Sequence, residues 1–210
     1  MTKARDQEKQ QKRAAQRAAF ERRARRRALM WRGAGVVVVV IVAAGLYDLY
    51  AKRQLLQDVK TANYPAGLHS DGSIVYAENP PMGGEHNVVW QNCGIYDAPI
   101  HNEHGVHSME HGAVWITYRP DLPPDQVQTL RDVASDDYLL LSPYPGLRSP
   151  VVASACKHQL TLERADHPGL SAFIARYKNN PETTPEFGAS CSGGTRALAS
   201  TDSLTTAPGR

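Results

Sequence analysis

The feature that most constrains this chain is an apolar stretch of twenty residues, Ala28 to Tyr47, whose only charged side chain is Arg32. At about 1.5 Å per residue, a helix of this length just spans a hydrocarbon layer about 30 Å thick. Arg32 lies near the start of the stretch, from where it can extend towards the lipid headgroups. The pattern predicts a single transmembrane helix over residues 28–50. A cleaved signal peptide is the alternative, but the basic segment before it is long for that role.

The charge of the chain changes sign across this stretch. Residues 1–27 carry 11 Lys and Arg against 3 Asp and Glu, whereas residues 54–210 carry 10 against 17. The positive-inside rule then predicts that residues 1–27 stay in the cytoplasm and that the chain is exported from about residue 52. Such a basic segment next to a membrane span is expected to contact anionic lipid rather than nucleic acid. No feature identifies a protein partner.

Export bears on the three cysteines, since disulfides persist outside the cytoplasm. Cys93, Cys156 and Cys191 permit one bridge and one spare thiol, and counting does not choose the pair. Cys93 and Cys191 lie in loop-like segments beside glycine, which favours their pairing. Cys156 falls in a predicted buried strand, where an inert thiol is expected. A role for it beside a histidine, as a nucleophile or copper ligand, is the alternative.

The exported part predicts a small α+β sandwich. A stalk over 51–63 leads into a globular domain over 64–194, and a disordered tail follows over 195–210. From residue 113 the order is strand, helix, strand, strand, helix, which predicts helices on one face of a mainly antiparallel sheet. The predicted strands are 73–76, 113–118, 138–142 and 150–155, and the last of these can extend to 162. The first helix of this part begins at 122–125, and the final helix spans 168–178.

Half of the eight histidines fall within residues 101–111, which read HNEHGVHSMEH. Imidazole is the commonest metal ligand in proteins. On a helix, His107 and His111 would share one face with Glu110 beside them, the arrangement of inverted zinc proteases. Gly112 and the β-branched run after it argue against a long helix and favour an extended segment. His107, Met109 and His111 would then point to one side, a set that suits copper.

Two further histidines stand in loops from which they could approach this pair, namely His69 and His86. We therefore predict a zinc or copper site formed by His86, His107 and His111, with His69 as a further ligand. Glu110 would be a ligand or a base beside the ligands. His101 and His104 are expected to be solvated loop residues. The simpler alternative is that all of these histidines only join loops by hydrogen bonds.

Several segments together resemble an uncharacterised family, domain of unknown function 3105, which occurs in single-pass bacterial membrane proteins, many of them from actinobacteria. The resemblance covers roughly residues 64–194 and is carried by the following stretches: PPMGGEH at 80–86, WQNCGIYD at 90–97, VHSMEHGAVWITY at 106–118 and SPYPG at 142–146.

The resemblance implies that the family pattern includes His69, His86, His107, Glu110 and His111, and it also implies the pairing of Cys93 with Cys191. This chain departs from the family at Cys156, which stands where tryptophan is common. Met109 stands where leucine is common, which favours an imidazole site over a thioether ligand. The family name carries no function. The hypotheses are thus a metal-binding exported domain, a non-catalytic cell-envelope interaction module with structural histidines, or a metal-dependent hydrolase.

Overall fold

The computed structural model describes residues 2–205, and before residue 34 it describes side chains only at Arg13, Arg17, Arg22, Arg23, Met30, Trp31 and Arg32. The chain divides after Ala51 into two units. The first unit is helical and belongs to α1, Thr2–Leu55. Within α1, Met30–Leu55 is long and apolar enough to cross a membrane, and its most apolar window of residues has a mean hydropathy of 2.1 and no buried residues.

The second unit is built on one mixed sheet of six strands. The strands are β1 Lys60–Thr61, β2 Gly94–Ile95, β3 Val114–Tyr118, β4 Leu139–Pro143, β5 Val151–Ala155 and β6 His158–Leu162. Their order across the sheet is β1-β6-β5-β3-β4-β2. β4 runs parallel to both β3 and β2, while the other neighbours are antiparallel. The predicted α+β class with a mainly antiparallel sheet is therefore confirmed.

One face of the sheet carries the larger apolar core. In the central strands, alternate residues point to this face because side chains alternate along a strand. Two helices cover it, α3 (Pro124–Val133) through Leu130 and α4 (Pro168–Tyr177) through Leu170 and Phe173. Both helices have proline in their first turn, where no backbone N–H is needed. Their positions agree with the sequence prediction.

The opposite face is covered by α2, Asn102–Glu110, which packs through Val106 and Met109 against Trp115 of β3. Gly105 makes this close approach possible, because a Cβ atom there would lie 2.8 Å from the ring of Trp115. Helices therefore cover both faces, not one as predicted. The extended conformation predicted for residues 107–111 is also wrong, since a buried short helix draws its stability from packing rather than from length.

Other boundaries differ from the predictions. Residues 73–76 form no strand, and α1 ends at Leu55, after which β1 joins the sheet where a helical stalk was expected. The strand predicted over 150–155 is β5, and its predicted extension to 162 is a separate strand, β6, which follows a turn with Lys157 in a left-handed conformation (φ 67°). Residues 195–205 are held by bridges at Thr195 and Leu198 rather than disordered, and 206–210 lie outside the described residues.

We predict that Gly105→Ala destabilises the domain. Overpacking against Trp115 costs about 1–3 kcal/mol, which exceeds the gain of about 0.5–1 kcal/mol from replacing a helical glycine. Thermal unfolding of the full chain in detergent, followed by near-ultraviolet circular dichroism, measures the change. Gly72→Ala is the control, because a Cβ atom at Gly72 meets nothing within 4 Å. Equal stability of the Gly105 variant and the unmodified chain would contradict the packing argument.

Candidate metal centre

The site is built around the C-terminal end of α2. His107 lies in its last turn and His111 is its C-cap, so the two imidazoles are four residues apart with ring centroids separated by 4.7 Å. The chain leaves the helix at Gly112, whose φ of 102° favours glycine and whose Cα would bring a Cβ atom within 2.9 Å of Asn179. This abrupt end allows β3 to begin two residues later and leaves both imidazoles at the helix terminus.

Two loops bring a second pair of histidines to the same place. His69 and His86 pair in a short parallel bridge, in which Ser70 N–H donates to the His86 carbonyl at 2.8 Å and His86 N–H donates to the Leu68 carbonyl at 2.9 Å. The His69 ring centroid lies 4.9 Å from that of His86 and 5.2 Å from that of His107. His86 and His107 are 4.8 Å apart. The expected approach of these loops is present.

Three of the imidazoles are oriented by backbone carbonyl groups. The Nδ1 atom of His86 is 2.9 Å from the Gly84 oxygen, that of His107 is 2.7 Å from Asn87, and that of His111 is 2.7 Å from Ser190. A carbonyl oxygen only accepts, so each Nδ1 must carry the hydrogen. In a neutral ring this leaves the lone pair on Nε2. Bonds of this kind fix the tautomer and ring direction of metal-ligating histidines.

Burial keeps His107 uncharged. Burial and, to a smaller extent, the neighbouring imidazoles lower the pKa of His107 to about 3, although its bond to the Asn87 carbonyl acts in the opposite direction. His107 is therefore neutral at ordinary pH, which is the form that binds metal. The His86 side chain is fully buried, and its Nε2 atom has no hydrogen-bond partner among the described residues. Such an atom costs free energy unless something satisfies it.

The acidic residues of the site have different positions. Glu110 is buried; one of its carboxylate oxygens accepts a hydrogen bond from Gly67 N–H at 2.9 Å and lies 3.8 Å from the Nε2 atom of His86. Glu186, which no sequence pattern indicates, lies beside His111 at the end of α2. Its carboxylate is 3.0 Å from the Nε2 atom of His111 and 3.7 Å from that of His107.

Among the described residues, two groups place three possible ligand atoms within 4.8 Å of one another. One group is His69, His86 and His107, and the other is His107, His111 and Glu186. Imidazole nitrogens and carboxylate oxygens are suitable ligands for zinc and copper(II). Of the five predicted metal ligands, the four histidines are thus divided between two groups that share His107. Glu110 belongs to neither group and adjoins the first.

The remaining residues of the histidine-rich segment have structural roles. His104 is fully buried in α2, not a solvated loop residue as predicted; its Nδ1 atom donates to the Val89 carbonyl and its Nε2 atom accepts from Thr205 N–H. His101 contacts the Asp202 carbonyl at 3.0 Å. Both histidines therefore hold the C-terminal segment. Met109 and Cys156 lie in the apolar core beside Trp115, and burial raises the pKa of the Cys156 thiol to about 12.

A disulfide joins Cys93 and Cys191 and fastens the segment that carries Glu186. Cys93 N–H also donates to the Cys191 carbonyl at 2.8 Å, and Glu186 N–H donates to the Glu110 carbonyl at 3.0 Å. Glu186 reaches the site only because this segment folds back over α2. In the sequence it stands in a polar stretch, and the only indication of its place is its closeness to Cys191.

The comparisons with known proteins agree with the family resemblance. A family model described as a protein of unknown function (DUF3105) matches residues 68–193, more than half of the chain. This range includes every member of the two ligand groups and both bridged cysteines. No match of significance was found among curated proteins or among solved structures.

We predict that replacing both Cys93 and Cys191 by serine lowers the free energy of unfolding by up to about 4 kcal/mol. The bridge closes a loop with a sequence separation of 98 residues, and in the chain-entropy model a loop of this size is worth somewhat more than that. Chemical denaturation of the full chain in detergent measures the loss. Cys156→Ala is the control, since it leaves the bridge intact. An equal loss in the control would contradict a specific role for the bridge.

Proposed function

The chain belongs to the DUF3105 family of proteins of unknown function, and we propose that its globular unit is an exported domain that binds one transition-metal ion. The first ligands are His69, His86 and His107, which come from two loops and one helix. Residues 30–55 anchor the domain as a single transmembrane pass.

The observation that carries the proposal is the Nε2 atom of His86. It is buried, it has no hydrogen-bond partner in the described part of the chain, and the other nitrogen of the same ring is already committed to the Gly84 carbonyl. His69, His86 and His107 each offer one possible ligand atom, and these three atoms lie within 4.8 Å of one another. A bound cation would satisfy this lone pair and offset the desolvation of the neighbouring rings. Structural histidines alone leave the atom unexplained.

The donor set points to zinc or copper. Three imidazoles form the first group, and the nearest carboxylate is that of Glu110. The soft sulfur atoms near α2, those of Met109 and Cys156, belong to the apolar core, so a site selective for soft metals through sulfur is not favoured. Zn²⁺ and Cu²⁺ both accept three imidazole ligands. His69 is exposed, which gives the third ligand freedom to move towards an ion.

The location follows from charge and length. The apolar part of α1 is fully exposed, as expected of a helix that faces lipid, and a segment with a net charge of +8 precedes it. We place that segment in the cytoplasm against anionic lipid, and the globular unit outside. The Cys93–Cys191 bridge fits this orientation because disulfides persist in oxidising compartments.

A specific observation, the position of Glu110, favours metal-dependent hydrolysis as a second candidate function. The buried carboxyl group of Glu110 lies 3.8 Å from the Nε2 atom of His86, so it would be placed to act as a general base if that ring held an ion. Its hydrogen bond from Gly67 N–H fixes its direction. If the domain is a hydrolase, Glu110→Gln abolishes turnover while metal remains bound. Retained turnover in that variant would exclude this mechanism.

The test of metal binding uses the full chain in detergent, freed of metal by a chelator and then titrated with Zn²⁺ or Cu²⁺. We expect one ion per chain and a rise in melting temperature, because the ion binds the folded state. His107→Gln should lose both effects, since the glutamine side chain can still donate to the Asn87 carbonyl but removes the imidazole.

His101→Ala is the matched control, because His101 belongs to the same segment but to neither ligand group. It should bind metal as the unmodified chain does. Metal content well below one ion per chain in a fully folded preparation, with no rise on titration, would overturn the proposal and leave an interaction module with structural histidines.

A further inference from the structure

We infer that the cluster offers a single ion two alternative positions that share His107, the second being formed by His107, His111 and Glu186. This inference rests on the proposed function and deepens it. The first position has three imidazole ligands. The second replaces two of them by one imidazole and one carboxylate.

The second position has the spacing of a metal site. The Glu186 carboxylate lies 3.0 Å from the Nε2 atom of His111 and 3.7 Å from that of His107. Ligand atoms about 2.0–2.1 Å from a tetrahedral zinc ion are about 3.3 Å apart, so these separations fit a bound ion with little movement. Both imidazoles are buried and oriented by carbonyl groups. Glu186 is 39 % exposed, which leaves a path to solvent.

The two positions exclude each other because they need the same atom. The Nδ1 atom of His107 carries a hydrogen that it donates to the Asn87 carbonyl at 2.7 Å, so only its Nε2 lone pair is available. One lone pair binds one ion. The chain therefore holds one ion at a time with three protein ligands, and that ion can change position by exchanging His69 and His86 for His111 and Glu186 while His107 stays bound.

The second position depends on the disulfide, whereas the first does not draw on the bridged segment. Glu186 and the Ser190 carbonyl, which orients His111, both lie just before Cys191 in the segment that the bridge fastens. His69, His86 and His107 come from elsewhere in the chain. Opening the bridge should therefore remove the second position selectively.

The test compares Zn²⁺ affinity, by competition with a chromophoric chelator, in variants of the full chain in detergent. His69→Ala disables the first position, and because His69 is exposed the fold should be retained. This variant should still bind one ion. Adding Glu186→Gln to it should weaken binding by at least about tenfold, since even the partners of metal ligands contribute about 10–100-fold to affinity.

Adding Glu163→Gln instead is the control, because Glu163 is an exposed carboxylate in neither group. It should leave affinity unchanged. Replacement of Cys93 and Cys191 by serine in the His69→Ala background should weaken binding as Glu186→Gln does, and the same replacement in the unmodified chain should leave one bound ion.

Two results would overturn the inference while the proposed function stands. One is two ions per unmodified chain at saturation. The other is an unchanged affinity when Glu186→Gln is added to His69→Ala. Absence of bound ion from the unmodified chain would instead overturn the proposed function itself, and with it the inference.

Discussion

Burial of α2 between the sheet and the surrounding loops is the constraint on which the rest of the domain depends. The helix is only nine residues long, yet all but its first residue are buried, including three that are ionisable besides His107 itself, namely Glu103, His104 and Glu110. Each buried polar side chain needs a hydrogen-bond partner. For three side chains of α2, carbonyl groups of the covering loop are these partners. The carbonyl groups of Asn87, Val89 and Gln91 accept from His107, His104 and Ser108 respectively. The loop from 84 to 93 is therefore shaped by the helix that it covers.

The regular parts of this fold could be predicted because local patterns of apolar residues indicate which segments are buried. The apolar, β-branched run of β3 and the leucine run of β4 both predict buried strands. The helices α3 and α4 combine an apolar stripe with proline at the first turn. The helix α2 has none of these signs, since histidine, serine and asparagine are weak helix formers and Gly105 lies in its middle. It is helical because eight of its nine residues are buried against the sheet and the covering loops, and Gly105 allows its close approach to Trp115.

The same distinction explains which site residues were found. The spacing of His107 and His111 is local and indicates both residues, although the extended conformation predicted for them is wrong. His69 and His86 could be proposed only as residues in loops, and the family resemblance supported them. Glu186 could not be found in this way because it is brought to His111 by a bridge between cysteines 98 positions apart. A carboxylate in a polar segment gives no indication of such a position.

Electrostatics favours a cation in the cluster. Four imidazoles within a few ångströms would repel one another if charged, and burial already lowers the pKa of His107 far below its usual range. Glu110 lies beside His86 and Glu186 lies beside His111, so carboxyl groups stand at both ends of the row of imidazoles. A divalent ion can be held by imidazole nitrogens without adding a proton to any ring, and a carboxylate at either end can attract it. This arrangement gives a physical reason for the two proposed positions along one row of histidines.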